Sequence, residues 1–394
     1  MQRKSGGHGV LIAVIAVVVI VVIIVGVGYG AGWFKTSNTT SHGTGCTLPT
    51  AGSLKGEGST LVAPLVDQWA TSYWTGSVLA SYDAAGSSSG IQAITTKTVD
   101  FGASDAPLSY AQAAAAAGVV LIPEAAGGVV PIYNLPGLST PLNFNGSVLA
   151  QIFDGQLTNW NNSALQTLNP HVVLPVATIA PIYRTGGSGT TFIFTSFLTL
   201  ENAYWAANYG KNLSWPSGLP GTGASGNGGV ASTVATTTDA IGYVDLNYAL
   251  NSGSSIGIGD VQNPSGNFIR ASVANTESAL LDSKVTLPTG SQSWYNVSFL
   301  NAPGAEDYPI TSLTYFIVWQ NLSAAYPSYT LTSAENLVDF LAWAISTGQS
   351  WSAPLYYAPI PASVFAVDNA TIHSITFDGS AVPVCVPSGG AAPA

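Results

Sequence analysis

The chain has 394 residues, a formal net charge of −10, 47% hydrophobic residues and only 7% charged ones. Globular proteins usually carry about 25% charged residues, so surface polarity here rests on Ser, Thr, Asn and Gln. Beyond residue 45 stand six basic residues against all 19 acids, a formal charge of −13. That balance argues against nucleic acid as a partner, which needs a basic footprint, and leaves any bound anion to local dipoles.

Arg3 and Lys4 precede an apolar run from Val10 to Val27, and Tyr29, Trp33 and Phe34 follow it. About 20 apolar residues span a bilayer, and basic residues favour its cytoplasmic side. Residues 1–35 are therefore expected to be an uncleaved N-terminal membrane anchor, with the remainder outside the cytoplasm. A cleaved signal peptide is the alternative, but the run is longer than a usual one and its exit is aromatic. Residues 36–51 are rich in small polar residues and read as a flexible stalk. The outer region exceeds one typical core and suggests two lobes. Its two cysteines, Cys46 and Cys385, stand at opposite ends. An oxidising compartment predicts a bridge between them, with two free thiols as the alternative. Sequons at Asn38, Asn145, Asn161, Asn212, Asn296, Asn321 and Asn369 are compatible with a glycoprotein.

After the stalk, short apolar segments alternate with helix-like ones. A helix is expected between Gly58 and Trp74 after its first turn, with Pro64 near its start. Val78 to Tyr82 reads as a strand, Gly86 to Lys97 as a loop opening a helix, and Val99 to Ala103 as a strand ending at Asp105. Val119 to Ile122 and Val129 to Tyr133 read as two strands, and Ala240 to Val244 as another. Val338 to Ile345 predicts a helix, and residues 387–394 a disordered tail. This alternation points to an α/β fold with parallel sheets. In such folds ligands sit at the carboxyl ends of strands, where the Gly/Ser loops fall.

Four pieces carry candidate chemistry. Arg184 to Thr191 (R-T-G-G-S-G-T-T) sets a guanidinium beside hydroxyls and glycines just before an apolar helical run. A glycine-rich turn entering a helix aims several N–H groups at one point, a cradle for a tetrahedral oxyanion. Beyond residue 45 only Arg184 and Arg270 are arginines, so this one is not a random surface charge. Gly56 to Leu61 (G-E-G-S-T-L) offers the Thr60 hydroxyl and backbone N–H groups, and Gly86 to Gly90 offers Ser87. Val99 to Pro107 places Asp105 at a strand end. Taken singly, such loops are ordinary helix caps and such an Asp an ordinary turn former.

Together they make the chain resemble the phosphate-binding protein of the ABC-type high-affinity phosphate importer. G-x-G-S-T at Gly56 to Thr60, T-V-D-F-G-A-S-D-A-P-L at Thr98 to Leu108 and G-S-G-T-T-F at Gly187 to Phe192 carry the resemblance. A-I-G-Y-V at Ala240 to Val244 and Y-P-I-T at Tyr308 to Thr311 support it. It covers Leu54 to Val384 and implies a two-lobed periplasmic-binding-protein-like (type II) fold closing on phosphate through a hinge of two crossings. Lobe 1 is expected over 52–132 plus 308–386 and lobe 2 over 133–307. Carried over residue by residue, the donors are Thr60, Leu61 through its backbone N–H, Ser87, Arg184, Ser188, Gly189 through its backbone N–H, and Thr190. Asp105 is the acceptor. Phosphate near neutral pH carries a proton and sulfate carries none, so a buried carboxylate accommodates only the former. Two positions depart from the family: Leu61 replaces a usual aromatic residue, and Gly186 stands where many members have an Asp paired with the arginine. The second departure puts discrimination against arsenate in question.

The resemblance implies inorganic phosphate as ligand, permease subunits of an ABC importer as partners, and no enzyme activity, cofactor or metal. An enzyme is the first rival. The Gly186 loop lacks the Lys of a P-loop, Ser188 has no base near it in sequence, and His8, His42, His171 and His373 form no ligand-spaced cluster. A receptor for sulfate or molybdate is the second rival, and a structural surface protein the third.

Overall fold

The computed structural model describes residues 52–73, 78–138, 140–253 and 256–385. The anchor expected over 1–35, the stalk over 36–51, Cys46 and the tail over 387–394 lie outside the described residues. Among the described residues no helix is long and apolar enough to cross a membrane.

The main strands are β1 (Gly52–Gly58), β2 (Val78–Asp83), β3 (Phe101–Ser104), β4 (Val119–Asn134), β5 (Ala180–Arg184), β6 (Thr222–Ala224), β7 (Ala240–Asp245) and β8 (Thr311–Trp319). They run side by side as β2-β1-β3-β8-β4-β7-β5-β6, with Gly257–Ile258 also paired to β4. At both ends the pairing is parallel, β2 and β3 with β1, and β6 and β7 with β5. In the middle it is antiparallel, because β4 pairs with both β8 and β7. The sheet is therefore mixed, not wholly parallel as the alternation suggested.

β4 joins the two strand groups. Its first part, Val119 to Gly128, faces β8, and Val129 to Asn134 faces β7. The sequence shows two strands here because P-E-A-A-G-G lacks β-branched residues. Both neighbours supply partners along the whole stretch, and pairing overrides the local propensity.

Four helices follow strand ends: α1 (Ala63–Ser72), α2 (Ser87–Thr95), α3 (Gly189–Glu201) and α4 (Gly226–Thr236). α1 begins with Pro64 in its first turn and buries Leu65, Val66 and Trp69. Proline suits that position because its missing N–H would be unpaired there anyway. α5 (Leu331–Ala344) starts earlier than the expected Val338, because Thr330 caps it by accepting from the Ser333 N–H. The stretch from Pro220 to Gly229 holds β6 and the first turn of α4.

Each strand group has its own aromatic centre. In the first, Phe101 meets Phe316 edge-on at 5.4 Å, and Phe340 of α5 packs beside both. In the second, Phe194 of α3 stacks on Tyr243 of β7 at 4.3 Å, and Phe153 and Trp215 join them. Aromatic pairs of this kind add about 0.5–1.5 kcal/mol beyond their area. Leu280, Trp294 and Phe299 share a buried cluster with Leu121, Leu313 and Tyr315, so residues around 280–299 pack with the first group although they precede β8.

Candidate functional site

The carboxyl ends of β1, β2, β3, β5 and β6 meet at one place, and every predicted ligand-binding residue sits there or one turn beyond. Thr60 and Leu61 follow β1, Ser87 opens α2, Asp105 follows β3, Arg184 ends β5, and Ser188, Gly189 and Thr190 open α3. All are buried: Leu61, Ser87, Asp105 and Ser188 are 1% exposed, Arg184 3%, Thr190 0% and Thr60 9%. Burial at these levels is rare for charged groups unless they are paired or face a ligand.

The two strand groups touch across the site through these residues. The Gly189 N–H donates to Ser87 Oγ at 3.0 Å, and the Ser88 N–H donates to the Gly187 carbonyl at 3.2 Å. A Cβ at Gly189 would lie 2.6 Å from both Asp105 Oδ2 and Ser87 Oγ. Glycine at that position is what lets the α3 N-terminus approach the Asp105 carboxylate. Gly86 enters α2 at φ +108°, a conformation open mainly to glycine.

Local hydrogen bonds explain how each wall is held. Ser188 caps α3 by accepting from the Thr191 N–H. Ser59 Oγ accepts from the Leu61 N–H at 2.9 Å, so the predicted backbone donor Leu61 is engaged within its own turn. The Arg184 N–H donates to Tyr243 Oη at 3.3 Å, and Tyr243 Oη pairs with Thr191 Oγ1 at 2.8 Å. These contacts fix the backbone and leave the guanidinium alone: Nε and Nη1 of Arg184 have no hydrogen-bond partner among the described residues.

Asp105 is furnished differently. Thr314 Oγ1 lies 3.1 Å from its Oδ1, while Oδ2 makes no hydrogen bond among the described residues. Burial pushes the carboxyl up to about 6, and the hydroxyls of Ser59 and Thr314, the Arg184 charge and the Ser87 hydroxyl pull it partly back. Arg184 is lowered by burial, against which Tyr243 and Asp105 act. A cation and an acceptor with free valences among the described residues thus act on each other's charge, with serine and threonine hydroxyls beside Asp105. The donor set suits a small oxyanion that carries one proton. Among the described residues no cluster of His, Cys, Asp or Glu could hold a metal ion.

One functional residue was not read from the sequence. Asn227, in the first turn of α4, is 0% exposed. Its Nδ2 donates to Thr60 Oγ1 and Thr190 Oγ1, both at 3.1 Å, and its Oδ1 accepts from the Asp245 N–H at 3.0 Å. It joins the two strand groups and fills a lone pair on each hydroxyl, leaving their protons to point elsewhere. An asparagine at the start of a helix among three glycines, S-G-N-G-G, is the signal that was there to find. Ser59 lay inside the Gly56 motif, whereas Thr314 had no signal of its own.

Residues 46–347 match the PBP superfamily domain. The chain is 33% identical over 338 residues to the phosphate-binding protein PstS of Xylella fastidiosa strain 9a5c, covering 83% of this chain and 88% of that one. To PstS of Haemophilus influenzae it is 36% identical over 325 residues, covering 81% and 92%. Among solved structures, the periplasmic phosphate-binding protein PfluDING matches with a TM-score of 0.64 at 19% identity, over 84% of this chain and 99% of that one. A phosphate-binding protein from Stenotrophomonas maltophilia matches at 0.62 and 19%, over 80% and 93%. Those two likenesses establish the α/β periplasmic-binding-protein fold.

Proposed function

Because the chain belongs to the PstS family of phosphate-binding proteins, within the PBP superfamily, we propose that it is an extracytoplasmic receptor that binds inorganic phosphate and delivers it to an ABC-type importer. It is a receptor and not an enzyme. The observation that carries the reading is a buried guanidinium at Arg184, whose Nε and Nη1 have no hydrogen-bond partner among the described residues, set with a buried carboxylate at Asp105, one from each strand group. The guanidinium offers charge-assisted hydrogen bonds to oxyanion oxygens. Asp105 accepts from the proton that phosphate carries and sulfate lacks, and a carboxylate facing an unprotonated oxygen costs several kcal/mol. Ser87, Ser188 and Thr190 and the hydroxyl of Thr60 complete the ligand set, with the Gly189 N–H turning from Ser87 to the anion. The Leu61 N–H belongs to this set only if it leaves Ser59.

Two lobes that part and close around β4 fit this role. The first would be built on β1, β2, β3 and β8 and the second on β5, β6 and β7, with one crossing in β4 and one before β8. Hinge closure of this kind is common in periplasmic binding proteins. An anchor over residues 1–35 would keep the receptor near its permease and raise its effective concentration. A Cys46–Cys385 bridge would tie the first lobe's ends together.

Calorimetric titration of the full-length chain, stripped of ligand, with phosphate, sulfate and arsenate tests the reading. One-to-one phosphate binding with sulfate silent is the expected result, and Asp105→Asn should narrow the gap, because an amide can donate to an unprotonated oxygen. A folded, stripped chain that takes up no phosphate overturns it.

A further inference from the structure

Glu124 lies in the middle of β4, fully buried, and is the one charged side chain between Val119 and Asn134. β8 pairs Thr314 with Ala125 and Tyr315 with Pro123, so Glu124 is the extra residue of a bulge. Bulges re-aim a side chain, and a proline with no N–H to give is at home beside one. Gln349 Nε2 holds the bulge by donating to the Glu124 carbonyl at 2.9 Å. The result sets Glu124 Oε1 at 3.0 Å from Thr314 Oγ1, the same hydroxyl that lies 3.1 Å from Asp105 Oδ1.

A hydroxyl has one proton. It can donate to one of its two carboxyl neighbours and must accept from the other. Two ionised carboxylates would leave one contact without a proton, with like charges close together in a dry interior. The geometry closes when one carboxyl keeps its proton, donates it in a hydrogen bond to Thr314, and Thr314 donates in turn to the other. The surroundings decide which. Asp105 has the Arg184 charge and the Ser59 and Ser87 hydroxyls beside it. Glu124 faces Thr314 from β8, the Asp105 charge beyond it and the Tyr82 phenol of β2, and among the described residues no cation acts on it. Asp245, from β7, feels the Asp105 charge but adds none of opposite sign.

We propose that Glu124 is a positioning residue that carries the shared proton and so fixes Asp105 as the ionised acceptor of the site. The order is Glu124 Oε–H to Thr314 Oγ1, then Thr314 Oγ1–H to Asp105 Oδ1, which leaves Oδ2 free on the side of Gly189 and Ser87. No proton leaves the chain of three groups when ligand binds. Burial also holds the Glu124 carboxyl well above the usual carboxylate range. As pH rises far enough to ionise Glu124, a second negative charge appears behind Asp105 and anion binding weakens. The inference rests on the reading of Asp105 as the phosphate acceptor.

Infrared difference spectra of the full-length chain near neutral pH, with saturating phosphate, test it alongside phosphate titrations across pH. The protonated-carboxyl band of the wild type should lose one component in Glu124→Gln and keep that component in Asp105→Asn. Glu124→Ala should weaken phosphate about tenfold, the usual consequence of orphaning a buried hydrogen-bond partner. Glu124→Gln, whose amide can donate to Thr314 but not ionise, should recover most of that loss and flatten the alkaline side of the pH profile. A band unchanged in Glu124→Gln, or lost instead in Asp105→Asn, overturns the inference, as does equal weakening in Glu124→Gln and Glu124→Ala. An unchanged phosphate-to-sulfate ratio in Asp105→Asn overturns the reading of Asp105, and this inference with it. The unchanged band in Glu124→Gln removes this inference alone.

Discussion

The two walls of the site are finished to different degrees. On the wall built from the first strand group, Asp105 is surrounded by its own protein: Thr314 at Oδ1, with Ser59 and Ser87 close by. On the wall built from the second group, Arg184 has its backbone fixed by Tyr243 while Nε and Nη1 have no partner among the described residues. An acceptor can be held by neutral hydroxyls and still keep one oxygen for a ligand. A buried cation left bare is expensive by itself, and the cost is relieved only by an anion. On the proposed reading the two walls divide the work: the arginine wall supplies attraction, and the aspartate wall supplies choice.

Removing the attraction should have the largest effect. Arg184→Ala deletes two charge-assisted hydrogen bonds, each about 1.5–3 kcal/mol, and phosphate affinity should fall by at least about a hundredfold with sulfate still excluded. Parallel titrations check both halves, and a variant that lost affinity and gained sulfate binding would merge the two roles.

The aspartate wall should reveal itself through pH. Asp105 has its proton held up to about 6 in the folded chain against 3.8 ordinarily, and Glu124, Asp245 and Asp368 are raised by burial as well. A carboxyl raised on folding binds more protons folded than unfolded, so stability is present below the unfolded value and is lost as pH rises through the folded one. For Asp105 alone the change is on the order of 3 kcal/mol. The ligand-free chain should therefore melt several degrees higher near pH 4 than near pH 7, and phosphate should reduce the difference by drawing on the ionised form. A melting temperature that rises with pH would show that these acids are ionised in the fold.

Asn227 is the stitch between the walls. Asn227→Ala removes two hydrogen bonds that orient Thr60 and Thr190 and should weaken phosphate about tenfold. Asn227→Asp should weaken it further, since a carboxylate would accept the two hydroxyl protons that the amide leaves free. Equal behaviour of the two variants would mean that Asn227 only closes the molecule and does not orient hydroxyls.

Which parts were legible in the sequence follows the same divide between local and distant causes. The Gly56, Gly86 and Arg184 loops were readable because each carries its own chemistry in a few consecutive residues before a helix. Asp105 was readable because it ends an apolar run. The unbroken β4 was not, because its middle owes its extended form to β8 and β7 and not to its own residues. Thr314 was invisible for a related reason: its meaning comes from a bulge that sets it between Asp105 and Glu124. Glu124 could have been noticed as a lone charge in an apolar stretch, though only the register of β4 on β8 says where it points.

The smallest effect tests whether the bare arginine is a choice or a gap. Gly186 sits at φ +71° with open space where a Cβ would go. A side chain there is strained by about 1 kcal/mol and otherwise unobstructed, so Gly186→Ala should lower stability slightly and leave anion selectivity alone. Gly186→Asp carries the same strain, which aspartate tolerates better than most, and adds a carboxylate two residues from Arg184. Pairing with the guanidinium should lower affinity for every anion a few-fold and hold the fork more rigidly, which should widen the gap between phosphate and arsenate. Because the two variants share the backbone cost, their difference in the arsenate titration isolates the charge. If Gly186→Asp and Gly186→Ala discriminate alike, the carboxylate does not reach Arg184, and the bareness of that wall is set by Tyr243 and the end of β5 and not by the residue at position 186.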